Sequence, residues 1–68
     1  MGRPKITKKE LEIIELLRNG LSSAEVAATL SMVKGTVENH IKHARYKLDA
    51  NNSVHLISIC YKNNLLKL

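Results

Sequence analysis

The stretch Lys34–Leu48, KGTVENHIKHARYKL, constrains the fold more than any other part of the chain. With successive residues 100° apart, Val37, Ile41, Ala44 and Leu48 fall in one narrow apolar stripe. Gly35, Asn39, Lys42 and Tyr46 fall on the opposite face, with Glu38 and His43 at its margins. One side anchors a helix in a core. The other is a row of side chains that donate and accept hydrogen bonds.

The core that receives this stripe must be aliphatic, because the chain has no Trp, no Phe and two Tyr among 44% hydrophobic residues. Leu, Ile, Val and Ala suit packed helices. Sixty-eight residues suffice for one domain with a modest core, but not for an enclosed substrate cavity. Eleven Lys and Arg against six Asp and Glu give a net charge of +5, so a polyanion is the first partner to consider. Such a charge also serves plain solubility. The single cysteine, Cys60, excludes an intrachain disulfide and a cysteine metal site. The opening MGRPKITKK has no apolar core of a signal peptide, and no run approaches the ~18–20 apolar residues of a membrane span. These features point to the cytoplasm.

Four helices are expected, at about 8–18, 23–30, 34–48 and 53–63. Residues 1–6 read as a flexible basic arm, and 7–68 as the folded domain. Thr7-Lys8-Lys9-Glu10 is a capping box for the first helix. Leu11, Ile13, Ile14, Leu16 and Leu17 follow as its buried face, and Gly20 supplies a left-handed stop. Ser22-Ser23-Ala24-Glu25 is a second capping box. Val26, Ala27 and Leu30 turn inward, and Ala27 and Ala28 admit a close neighbour. Ser31-Met32-Val33 is a tight turn, so the second and third helices form a helix-turn-helix. Asn51 or Asn52 caps the last helix, with Val54, Ile57, Cys60 and Tyr61 inward and Leu56 and Ile59 toward its flank. Asn64 is a left-handed stop, and Leu65, Leu66 and Leu68 tuck back on the core.

Taken together, the Thr-x-x-Glu start, the Leu-x-x-Gly-Leu-Ser-x-x-Glu-Val-Ala link, Thr36-Val37-x-x-His40 and the closing Lys47-Leu48 carry a resemblance. Over residues 6–66 the chain resembles the LuxR-type (GerE- or FixJ-type) DNA-binding domain of bacterial transcription regulators. The resemblance implies an all-α, four-helix domain whose third helix enters the major groove of double-stranded DNA. It implies base contacts from Glu38, Asn39 and Lys42. It also implies phosphate contacts around Thr36 and the start of the second helix, at Ser23, and dimerisation through the last helix. Val33 departs from the family, which commonly places Ser or Thr there as a cap. A missing cap costs about 1 kcal/mol, and Gly35 in the first turn roughly as much again. That turn is therefore expected to be loose in the free protein. Glu38 departs too, since relatives often carry Lys or Arg.

Asn39 suits adenine and Lys42 suits guanine, set against an ordinary solvated helix face. Glu38 has two readings: acceptance from a cytosine amino group, or pairing with Lys34 or Lys42. Lys34, Thr36 and Lys47 are phosphate candidates, as are His43 and Tyr46 at the edge of the face; Arg45, nearer the stripe, reads equally as structural. His55, Leu56 and Ile59 are the candidates for a weak homodimer contact, against a role in covering the core of a monomer. His40-x-x-His43 lacks a third ligand and a Cys pair, so no metal or cofactor is expected. His40 is expected to bond a backbone carbonyl at a helix junction. No nucleophile–base arrangement can be assembled, so the chain is not expected to be an enzyme. Two other readings remain. One is a sigma-factor region-4-like module, with RNA polymerase as its partner. The other is a helix-turn-helix protein-interaction domain that has lost DNA binding.

Overall fold

The computed structural model describes residues 4–67. It contains α1 (Lys8–Arg18), α2 (Ser23–Leu30), α3 (Lys34–Leu48) and α4 (Ser53–Lys62), with no strand among the described residues. Met1 to Arg3 of the expected arm and the expected tuck of Leu68 lie outside the described residues. Pro4 and Lys5 are exposed, and Ile6 already packs on the core.

Local chemistry sets the helix ends. Thr7 and Ser22 each accept a hydrogen bond from the amide of the Glu three residues on, and each Glu side chain accepts one from its cap's amide in return. Asn52 is the cap of α4, its Oδ1 accepting from the His55 amide at 2.8 Å. Val33 gives α3 no side-chain cap. Gly20 follows α1 with φ 94°, while Ser31, Asp49 and Asn64 take φ of 55–59° at the other three ends.

The core draws on every helix: Ile13, Ile14, Val26, Ala27, Val37, Ile41, Ala44, Leu56 and Cys60, closed by Leu66. The stripe of α3 faces it as expected, with Leu48 half-buried at its end. Ala28 is exposed, so of the two alanines only Ala27 joins the core. The larger correction concerns α4. Leu56 and Cys60 are fully buried, and Val54, expected inward, is 78% exposed. The helix sits roughly a quarter turn from the expected orientation. Arg18 donates to the Lys67 carbonyl at 2.8 Å, holding the tail against α1.

Candidate nucleic-acid interface

The packing of α3 decides which side chains it presents. Because Val37, Ile41 and Ala44 are buried, Lys34, Gly35, Thr36, Glu38, Asn39, Lys42, His43 and Tyr46 all face solvent. No hydrogen bond or ion pair engages Glu38, Asn39 or Lys42 among the described residues, so Glu38 pairs with neither Lys34 nor Lys42. These side chains are presented without internal partners.

Beside this face runs an open groove of about 520 Å³. It is lined by Glu38, Lys42, Arg45 and Tyr46 of α3, with Ser23 and Ser53 bringing in the first residues of α2 and α4. The amino ends of two helices thus border it, and such ends carry partial positive charge. The Glu25 carboxyl lies below its usual range because the Ser22 amide and hydroxyl bond it. The Arg45 guanidinium donates to the Asn51 carbonyl at 2.6 Å, and its buried Nε finds no partner among the described residues. Arg45 therefore holds the α3–α4 turn.

Lys47, expected to reach a phosphate, is engaged within the fold instead. Its ammonium bonds both oxygens of Glu10, at 2.7 and 2.9 Å, and its side chain is 13% exposed against 4% for Glu10. Burial pushes the Glu10 carboxyl up, and the Lys47 bonds, the Thr7 amide, the Lys47 charge and the Thr7 hydroxyl outweigh it, leaving the carboxyl below its ordinary value. Thr7–Glu10 was legible as a capping box. The pairing with a residue 37 positions away carries no local signal.

Leu56 is likewise removed from the dimer set, being fully buried. His55 and Ile59 are half-buried, and Val54 and Ser58 are exposed on the adjoining arc. The His55 Nδ1 accepts from the Asn51 amide at 3.0 Å. His40 is half-buried and makes no carbonyl bond among the described residues. Burial pushes the Cys60 thiol up, as suits a small core side chain. No cluster of three or more His, Cys, Asp or Glu is placed to hold a metal among the described residues, and no helix is long and apolar enough to cross a membrane.

Comparison with known proteins places this geometry. The profile described as bacterial regulatory proteins, luxR family, matches residues 4–60. A putative HTH-type transcriptional regulator of Aeromonas salmonicida is 35% identical over 66 residues, spanning 97% of this chain and 33% of that protein. The spore germination protein GerE of Bacillus subtilis is 41% identical over 47 residues, spanning 69% of this chain and 64% of GerE. The crystal structure of the response regulator ChrA, from a heme-sensing two-component system, superposes with a TM-score of 0.91 at 30% identity. That match covers 97% of this chain and 33% of ChrA. The chain thus spans about a third of the length of the Aeromonas regulator and of ChrA.

Proposed function

The chain belongs to the LuxR family of bacterial regulatory proteins, as a helix-turn-helix DNA-binding domain, and on that premise we propose that it reads the major groove with α3 as a weak homodimer. The observation that carries the reading is the exposed face of α3, whose Glu38, Asn39 and Lys42 have no internal partners while the opposite stripe is buried. Asn39 bonds adenine, Lys42 donates to guanine, and Glu38 accepts from a cytosine amino group. Ser23, Lys34, Thr36, His43 and Tyr46 take phosphates, which position the domain without specifying sequence. Lys47 does not belong to that set, because Glu10 holds it.

The dimer contact uses the solvent-facing arc of α4, through His55 and Ile59 with Val54 added and Leu56 withdrawn. Two-fold pairing there sets two reading helices about one DNA turn, ~34 Å, apart. One short helix per partner buries less than the ~1,000 Å² of a stable interface, so the pair forms on DNA. The mechanism is binding, not catalysis, and a DNA target places the work in the cytoplasm.

A salt titration of duplex affinity tests the reading. Affinity should fall linearly on logarithmic axes, with a slope near −0.9 for each phosphate neutralised. Lys42→Ala should flatten preference between sites, and Lys34→Ala should weaken all sites alike. Weak binding to every duplex that does not respond to salt would overturn the reading in favour of a protein-interaction domain.

A further inference from the structure

We propose that the leading end of α3 reads a thymine, through apolar contact between Val33 and the C5-methyl group of that base. The inference rests on the proposal that α3 enters the major groove. Val33 is 72% exposed, one of three large apolar side chains so exposed among the described residues. Val54 belongs to α4, and Tyr46 lies near the far end of α3. Val33 alone stands where α3 begins.

Its surroundings leave it open. The Val33 side chain makes no capping bond. Gly35 carries no side chain, and a Cβ built there would meet nothing within 4 Å. The first turn of α3 is therefore low, and of its residues only Lys34 is long and flexible. A surface of this shape lets the isopropyl group come close to a flat partner.

Helix-turn-helix domains meet base edges with the first residues of the reading helix. Along the major groove those edges present donors and acceptors, with one apolar exception, the thymine methyl. Set against any other edge, Val33 displaces water from a polar atom and returns no hydrogen bond. Set against the methyl group, it buries apolar surface on both sides. Attraction and penalty thus point to the same base.

The test uses a duplex selected from a random library by the 68-residue chain. Each thymine is replaced in turn by deoxyuridine, which removes only the methyl group. The native chain should lose about four-fold in affinity at one position per half-site, the worth of one methyl removed from water. Val33→Ser should bind the thymine and uracil duplexes equally. Val33→Thr should keep the preference, because it retains one methyl. Both variants add the same kind of capping oxygen, so a firmer helix start is common to them. Val33 is exposed and outside the core, and circular dichroism verifies that both variants fold.

A selected sequence with no fixed thymine would overturn the inference. So would indifference of the native chain to every uracil, or a preference that survives in Val33→Ser. Salt-dependent binding that ignores uracil removes only the role of Val33. Failure to bind any duplex in a salt-dependent way removes the groove reading, and this inference with it.

Discussion

Replacing Lys47 by Met should unfold this domain more readily than any surface change to α3. The substitution keeps an apolar stem and deletes the ammonium that sits 2.7 and 2.9 Å from the two Glu10 oxygens. Glu10, 4% exposed in the native chain, then keeps only its Thr7 partners, the amide at 2.8 Å and the hydroxyl, against the same burial. Removing one partner of a buried pair costs about 3–5 kcal/mol, and the surviving Thr7 bond puts this case at the lower end, about 3 kcal/mol. A domain of this size holds only ~3–10 kcal/mol in all. The midpoint of thermal unfolding should fall by about 12–24 °C. Glu10→Gln should cost less, about 1–2 kcal/mol, because Gln still serves the capping box and the freed ammonium can lift to water. Urea unfolding followed by far-ultraviolet circular dichroism measures both. The salt slope of duplex binding for folded Lys47→Met should match that of the native chain. Stability within about 0.5 kcal/mol of native, with a slope shallower by about 0.9, would refute the reasoning and return Lys47 to the phosphate contacts.

Other perturbations separate the remaining roles. Val33→Ser supplies the missing cap of α3 and should stabilise by about 1 kcal/mol, slowing amide exchange at Lys34 and Gly35; unchanged exchange would mean the first turn is already firm. Gly35→Ala should add about 0.5–1 kcal/mol, since the new Cβ meets nothing within 4 Å; a lower urea midpoint would contradict this. Glu10 and Glu25 titrate below their ordinary value in the folded protein. Their pairing therefore contributes above the carboxylate range and is lost as pH falls through it, so Glu10→Gln should flatten the acid limb of a stability–pH curve. Ile59→Glu should leave the fold intact and abolish dimeric sedimentation on DNA, whereas Leu56→Glu should unfold the chain, because Leu56 is fully buried.

The starts of α1, α2 and α4 were legible because each is written locally. Thr7-x-x-Glu10, Ser22-x-x-Glu25 and Asn52 are caps whose chemistry lies within four residues, and the observed boundaries follow them. The outward face of α3 was legible for a similar reason, since its four apolar residues admit one stripe. The orientation of α4 was not. Val54, Leu56, Ile57, Ile59, Cys60 and Tyr61 nearly encircle that helix, so period alone accommodates several inward faces. The docked core selects the one bearing Leu56 and Cys60. The Glu10–Lys47 pair and the Arg45 bond to the Asn51 carbonyl were hidden for another reason: both belong to packing that no spacing rule encodes.

Ser31 and Asp49 bracket α3, and both hold the left-handed conformation with a Cβ in place. Such a residue gives up roughly 1–2 kcal/mol against the right-handed alternative. In exchange, the corner has fewer backbone states to wander among than a glycine would allow. The two corners therefore act as stiff brackets. The middle of α3 should reach its partner as a rigid rod in a set orientation, with adjustment confined to its uncapped first turn. A ligand would then be required to fit the rod, and the gap between matched and mismatched sequences would widen accordingly.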